Sequence, residues 1–136
     1  MEEIVKNQKR ILLIEDDDYI ADIYSSELER AGYAVEYFRT GEDGLKALAE
    51  KNYDLLLLDI MLPGINGLDV LTKIKADPKT KDLKVLVLTN LGNDPIVKQA
   101  YKMGAVGLLI KASINPDQVI AQVQKTLAEP PKPPVN

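Results

Sequence analysis

The sequence predicts an α/β domain in which a parallel sheet is covered by helices on both faces. Five apolar runs recur at regular spacing, and segments with helical periodicity separate them. Several runs are continuous rather than alternating, which is typical of strands that are buried on both faces. The length of 136 residues and the hydrophobic content of 46% fit one domain. The predicted strands span residues 10–15, 34–38, 54–59, 84–89 and 106–111.

The intervening helices are predicted from apolar residues that share one face and from residues that cap helix ends. In the first, Asp17 or Asp18 is the expected N-cap, and Gly32 suits the left-handed conformation after the last turn. The helices are expected at 19–31, 40–51, 66 or 67 to 76, 93 or 94 to 103, and 114–129. Their expected buried positions are Ile20, Tyr24, Leu28, Ala31, Leu45, Leu48, Ala49, Val70, Leu71, Ile74, Val119, Ile120, Val123 and Leu127.

Composition excludes several kinds of chemistry. The chain has no cysteine, so disulfides, zinc-thiolate sites and thiol catalysis are excluded. It has no histidine either, which removes the usual general base and the commonest transition-metal ligand. A net charge of −4 without a basic cluster gives no electrostatic attraction to nucleic acid or to an anionic membrane. We expect a soluble, cytoplasmic protein whose partners are proteins, since no apolar run is long enough to cross a membrane.

Three parts of the chain differ in composition. Residues 1–8 form a polar N-terminal extension, residues 9–128 form the α/β domain, and residues 129–136 form a proline-rich tail or linker stub. The tail is too short to fold into another module. We therefore expect either a stand-alone domain or one cut from a longer chain.

In the stretch "ILLIEDDD" (11–18), four acidic residues directly follow a strand that is predicted to be buried. Glu15 and Asp16 follow the first predicted strand, Asp59 ends the third, Thr89 ends the fourth and Lys111 ends the fifth. Ligands of open parallel sheets bind outside the carboxyl ends of the strands. Any one of these residues alone is typical of a solvated strand end, but together they predict a site.

Carboxylates without histidine or cysteine suit a hard cation, and Mg²⁺ typically takes one or two protein carboxylates, waters and a phosphoryl oxygen. Ca²⁺ is disfavoured because the EF-hand loop pattern is missing. Once a metal offsets the repulsion among the acids, one carboxylate can attack phosphorus. Lys111 and the Thr89 hydroxyl would then stabilise the oxygens of the transferred group.

Four motifs together resemble the receiver domain of two-component response regulators, from about Lys9 to Leu127. They are "LLIEDD", "LLLLDIMLPGINGLDVL", "VLVLTN" and "GAVGLLIKA", each at the end of a predicted strand. The resemblance implies a flavodoxin-like (βα)5 three-layer sandwich with a five-stranded parallel sheet in the order 2-1-3-4-5.

The resemblance also implies roles for the strand-end residues. Asp59 matches the phosphoacceptor aspartate, and Glu15 and Asp16 match the acidic pair that binds Mg²⁺. Of this pair, Asp16 is the expected direct ligand, and Glu15 is expected to act mainly through water. Met61 stands where a backbone carbonyl completes the metal shell. Asp17 and Asp18 are expected to begin the first helix instead.

Two further matches and two departures concern signal output. Thr89 matches the hydroxyl switch residue, and Lys111 matches the lysine that pairs with the phosphoryl group. Leu108 replaces the aromatic residue that usually couples the switch to the output face, so its packing states are expected to differ less. Ala112 replaces the family's proline; a cis bond without proline costs about 2.5–4 kcal/mol, which favours a trans bond here.

A phosphoprotein of a two-component phosphorelay is therefore expected. A histidine kinase or phosphotransfer protein would supply the phosphoryl group, and an aspartyl phosphate would form on Asp59. The domain would be a signalling phosphoacceptor rather than an enzyme. Its output face would comprise the fourth helix, fifth strand and fifth helix, with Tyr101, Lys102 and Lys111 as candidate contacts, and the first helix would select the kinase.

Three alternatives remain. A phosphatase of the haloacid-dehalogenase type needs a second acid two residues after the nucleophile, and that position is Met61. A nucleotide-binding flavodoxin-like protein needs a glycine-rich phosphate loop after the first strand, where Glu15 to Asp18 would repel phosphate. A phosphorylation-independent binding or dimerisation module is favoured by Leu108 and Ala112, but it would be expected to lose some of the acids.

Overall fold

Five parallel strands form one sheet in the order β2-β1-β3-β4-β5, which confirms the predicted fold class. The computed structural model describes residues 8–90, 94–111 and 115–130. The strands are β1 (Arg10–Ile14), β2 (Ala34–Phe38), β3 (Leu55–Asp59), β4 (Lys84–Thr89) and β5 (Gly107–Ile110). They are up to one residue shorter at either end than predicted, so Glu15 and Lys111 lie directly after their strands.

Helices cover the sheet on both faces and complete three layers. They are α1 (Asp18–Arg30), α2 (Gly41–Glu50), α3 (Gly67–Ala76), α4 (Asp94–Lys102) and α5 (Pro116–Ala128). One core cluster joins the sheet to α1 and α5, and the other joins it to α2, α3 and α4. Each strand-to-strand connection therefore crosses one face of the sheet through a helix, as parallel pairing requires.

The central strand β3 shows why its run of leucines is continuous. Leu55, Leu56, Leu57 and Leu58 are all fully buried. Leu55 and Leu57 pack in the cluster with α1 and α5, whereas Leu56 and Leu58 pack in the cluster with α2, α3 and α4. Since both faces of this strand are covered, both sets of alternating side chains are apolar.

Side-chain caps define where several helices begin. Asp17, rather than Asp18, is the N-cap of α1, and its side chain accepts hydrogen bonds from the backbone N–H groups of Tyr19 and Ile20. Asn66 and Asn115 form reciprocal capping boxes at α3 and α5. The residue Asn93, a predicted cap of α4, lies outside the described residues.

Two predicted core positions are wrong. Ala31 is exposed because α1 ends at Arg30 and leaves Ala31 in the C-cap position. Ala49 is exposed because the buried face of α2 is formed by Gly41, Gly44, Ala47 and Leu48. Small residues on this face let α2 approach the sheet closely, since a Cβ atom at Gly44 would lie 2.2 Å from Ile14 Cδ1.

Among the residues that the structure describes, no helix is long and apolar enough to cross a bilayer.

The close approach of α2 generates a stability prediction. In an exposed helix, Gly→Ala stabilises by about 1 kcal/mol. Gly44→Ala should instead destabilise the domain, by about 1–3 kcal/mol, because the new methyl group overpacks against Ile14. Urea denaturation measures the change in the free energy of unfolding.

A double-mutant cycle identifies the contact. Gly44→Ala should cost less in an Ile14→Val background, which removes the nearest atom, than in the wild type. Ala49→Gly, at an exposed position of the same helix, controls for helix propensity. Equal costs of Gly44→Ala in both backgrounds would contradict overpacking against Ile14.

Candidate functional site

The carboxyl ends of the strands bring the predicted residues to one edge of the sheet. β3 ends in Asp59 and pairs in parallel with β4, which ends in Thr89. The backbone N–H of Lys111 donates to the Thr89 carbonyl at 2.8 Å, so β5 delivers Lys111 next to the end of β4. Glu15 is placed in the same way, since β1 is hydrogen-bonded to β3.

Three carboxylates form a cluster at this edge. One oxygen each from Glu15, Asp16 and Asp59 lie within 4.8 Å of one another. Glu15 is fully buried and Asp59 is 2% exposed, whereas Asp16 is half-buried. Negative charges this close repel one another, so the cluster favours binding of a cation.

Lys111 bridges the two buried carboxylates. Its Nζ contacts Glu15 Oε1 and lies 3.0 Å from Asp59 Oδ2. The side chain is only 6% exposed, so water screens these ion pairs weakly. The ammonium group thus compensates part of the negative charge of the cluster.

The pKa values reflect this crowding. Burial, together with the hydrogen bond to Asp59, raises the pKa of Glu15 to about 8, and Lys111 only partly opposes the rise. Burial alone would lower the pKa of Lys111, but its hydrogen bonds to Glu15 and Asp59 outweigh that effect and raise the pKa. Burial and the neighbouring acid therefore oppose ionisation of Glu15, and Lys111 is the group that favours it.

The backbone after β3 holds Asp59 in place. Its Oδ1 accepts a hydrogen bond from the Met61 N–H at 3.0 Å. The chain then turns back, and the Gly67 N–H donates to the Ile60 carbonyl at 2.8 Å. A Cβ atom at Gly67 would lie 2.4 Å from the Asp59 carbonyl oxygen, so this return requires glycine. One carboxylate oxygen of Asp59 is thus bound by backbone and the other by Lys111.

The other two acids of the "EDDD" run have separate partners. Asp17 caps α1, and Asp18 Oδ1 accepts a hydrogen bond from the Tyr37 hydroxyl at 2.8 Å. Arg39 Nε also lies 3.3 Å from Asp18 Oδ1. The sequence reasoning missed Tyr37 and Arg39; the parallel pairing of β1 with β2, which places residue 38 beside residue 14, is the feature that could have located them.

The remaining predicted residues lie around the cluster. Thr89 is buried at the end of β4. The Met61 side chain is 68% exposed, while its backbone N–H faces Asp59. Leu108 is half-buried on β5 and packs against the core cluster that includes α4. The prediction about Ala112 lies outside the described residues.

The predicted output face needs one correction. Tyr101 is 48% exposed and Lys102 is exposed, so both are available for contacts. Lys111 is not available for contacts on this face, because its ammonium group pairs with the buried Glu15 and Asp59.

The donor set fits a hard cation. Its ligand atoms are carboxylate oxygens, and Asp16 is the member of the cluster that is partly open to solvent. Mg²⁺ binds such sites through one or two carboxylates and keeps several waters.

Comparisons with known proteins define the family. The family model of the response regulator receiver domain matches residues 11–124. The DNA-binding dual master transcriptional regulator RpaA of Synechocystis sp. is 36% identical over 118 residues, which cover 87% of this chain and 48% of the relative. This chain belongs to the response regulator receiver domains of two-component systems. The chain spans about half the length of such curated relatives.

Comparison with solved structures supports the same family. A response regulator from Chloroflexus aurantiacus has a TM-score of 0.85 and 30% identity, covering 90% of this chain and all of that one. The Mn²⁺-bound form of response regulator Rcp1 has a TM-score of 0.74 and 28% identity, covering 86% of this chain and 90% of that one. The haloacid-dehalogenase and nucleotide-binding alternatives are therefore not supported.

The charge balance of the site predicts opposite effects on stability in the absence of divalent cations. Asp59→Asn should raise the free energy of unfolding by about 1 kcal/mol, because it relieves carboxylate repulsion. Lys111→Met should lower it by roughly 2–4 kcal/mol, because it leaves buried acids without their cation. Urea denaturation in EDTA measures both.

Asp22→Asn, at an exposed position of α1, is the matched control and should change stability little. A fall in stability for Asp59→Asn equal to that for Lys111→Met would contradict the charge balance.

Proposed function

We propose that Asp59 accepts a phosphoryl group, in a Mg²⁺-dependent transfer from a phosphohistidine of a histidine kinase or phosphotransfer protein. The observation that carries this proposal is the cluster of Glu15, Asp16 and Asp59 with Lys111 bound to two of its members. Such an arrangement supplies a carboxylate nucleophile, oxygen ligands for a cation and a positive charge for the arriving phosphoryl oxygens.

The three acids would bind Mg²⁺ in different ways. Asp16, which is partly exposed, would be the direct ligand together with Asp59. Glu15, which is buried and paired with Lys111, would act mainly through water. The Met61 backbone carbonyl would be a further ligand. Bound Mg²⁺ would neutralise charge on the acids and on the phosphoryl oxygens.

The chain's own groups orient the nucleophile. The Met61 N–H holds one carboxylate oxygen of Asp59, and Lys111 holds the other. As an oxygen of Asp59 bonds to phosphorus, the P–N bond of the donor phosphohistidine breaks and its electron pair returns to the imidazole. Lys111 then remains with the phosphoryl group, whose added charge it stabilises.

The phosphorylated state would be transmitted through Thr89 to the face of α4, β5 and α5. Thr89 lies at the end of β4, beside the strand that carries Leu108. A downstream protein would bind this face, with Tyr101 and Lys102 as contacts. Leucine at 108 has neither ring nor hydroxyl, so its change of packing should be smaller than that of an aromatic residue.

We infer that residues 9–128 form the functional unit, that it works in the cytoplasm, and that it signals as a phosphoacceptor rather than an enzyme. We also propose that this domain itself does not bind nucleic acid, because its net charge of −4 opposes such binding. DNA binding is part of the printed name of the Synechocystis relative, of which this chain covers 48%.

Intact-mass spectrometry after treatment with acetyl phosphate tests the proposal. One phosphoryl adduct should form with Mg²⁺ and none with EDTA, and Asp59→Asn should abolish it. The isosteric amide keeps the side-chain shape but removes the nucleophile.

Asp54→Asn, at the opposite end of β3, is the control and should leave the adduct unchanged. An adduct that persists in Asp59→Asn would refute the assignment of the phosphoacceptor. No adduct in the wild type would favour the phosphorylation-independent binding module.

Metal binding by the acids predicts a thermal shift. Mg²⁺ should raise the melting temperature of the wild type by a few degrees, on the order of 4 °C per kcal/mol of binding energy for a domain between the small and large size classes. Asp16→Asn should abolish the shift, because it removes the accessible ligand, whereas Asp22→Asn should retain it. Equal shifts in both variants would rule out Asp16 as a ligand.

A further inference from the structure

The end of β2 binds the chain on both sides of Asp16. The backbone N–H of Glu15 donates a hydrogen bond to the Phe38 carbonyl at 3.1 Å. Further along the chain, Asp18 Oδ1 accepts a hydrogen bond from the Tyr37 hydroxyl at 2.8 Å. Asp16 lies between these two attachment points, in the short connection from β1 to α1. Because both attachments come from the same strand end, β2 restrains the backbone that carries Asp16.

Tyr37 is the stronger of two groups that bind Asp18. Arg39 Nε also lies 3.3 Å from Asp18 Oδ1, but both side chains of this ion pair are 64% exposed. Water screens exposed pairs of this kind, so they contribute little. Tyr37 is half-buried and packs against the core cluster that includes α1, so its hydroxyl is presented by a ring that packing holds in place. The position of Asp18 is therefore set mainly by Tyr37.

Asp16 needs a restraint because its neighbours repel it. Oxygens of Glu15, Asp16 and Asp59 lie within 4.8 Å of one another. Glu15 and Asp59 are buried and paired with Lys111, whereas Asp16 is half-buried. Without a cation, an unrestrained Asp16 carboxylate would move towards water, and a binding cation would have to bring it back. A restraint on its backbone reduces that cost of binding.

The connection between β1 and α1 can transmit the restraint from Asp18 to Asp16. The Asp17 N–H donates to Glu15 Oε2 at 3.3 Å, and the Asp17 side chain caps α1. Asp18 is the first residue of that helix. Since the cap and both attachments to β2 fix this short segment, a shift of Asp18 also shifts Asp16.

We propose that Tyr37 is a positioning residue for the metal ligand Asp16. Its hydrogen bond to Asp18 holds the β1–α1 connection so that the Asp16 carboxylate stays beside Asp59 before a cation binds. Tyr37 itself does not contact the cation. This inference rests on the proposed function, in which Asp16 and Asp59 bind Mg²⁺.

Binding of Mn²⁺, which takes the same oxygen ligands as Mg²⁺, tests the proposal. Electron paramagnetic resonance of free Mn²⁺ gives the dissociation constant for the full chain, without any phosphoryl donor. Tyr37→Phe removes only the hydroxyl and leaves the net charge unchanged. It should weaken Mn²⁺ binding at least about threefold, which is less than the roughly 10–100-fold typical of groups bound directly to a metal ligand. An unchanged dissociation constant would overturn the proposal.

Tyr53→Phe is the matched control. The Tyr53 hydroxyl also donates to a carboxylate at 2.8 Å, that of Glu36, but Tyr53 precedes β3 and so lies at the opposite edge of the sheet from Asp59. Both variants should lower the melting temperature in EDTA, whereas only Tyr37→Phe should weaken Mn²⁺ binding. An equal loss of Mn²⁺ affinity in the two variants would refute a specific role of Tyr37.

A double-mutant cycle tests whether Tyr37 acts through Asp18. Asp18→Ala removes the acceptor, so Tyr37→Phe should have no further effect on Mn²⁺ binding in that background. Comparison within each background cancels the direct effect of the Asp18 charge on the cation. The same loss in both backgrounds would overturn the proposal. Absence of Mn²⁺ binding by the wild type would refute the proposed metal site together with this inference, whereas wild-type binding that Tyr37→Phe leaves unchanged would refute this inference alone.

Discussion

The ammonium group of Lys111 between Glu15 and Asp59 is the interaction on which the site depends. Two carboxylates are buried within reach of each other, which costs free energy unless a positive charge lies between them. Lys111 provides that charge from another strand, so β1, β3 and β5 must all be in register for the site to exist. The charge balance at the carboxyl edge of the sheet therefore depends on the correct pairing of its strands.

The four consecutive acids after β1 illustrate how the fold separates charges that the sequence places together. Glu15 points to Lys111, and Asp16 remains partly open beside Asp59. Asp17 turns to the first N–H groups of α1, and Asp18 turns to Tyr37 and Arg39. Three of the four carboxylates thus have separate partners, and the fourth, Asp16, is partly open to solvent, so the β1–α1 connection can carry all four acids.

Much of this could be predicted because it depends on local sequence. The apolar run of β3, the cap at Asn66 and the residues that follow each strand are visible in short stretches of chain. Ala49 was wrongly predicted to be buried, since the buried face of α2 is decided by how closely Gly44 approaches Ile14. The contacts of Asp18 with Tyr37 and Arg39 depend on strand pairing, which one sequence does not display. The structure brings several of the predicted residues together, but their roles stay predictions: Glu15, Asp16, Asp59, Met61, Thr89, Leu108 and Lys111.

Gly67 has a consequence for protein design. The backbone of α3 comes so near the Asp59 carbonyl that even a methyl group has no room. A designer who grafted the charged side chains onto another parallel sheet would copy the visible chemistry and still lose this close backbone contact. The graft would need a glycine at the start of the following helix as much as the acids and the lysine, because the chain returns against the backbone of Asp59 and leaves no room for a side chain.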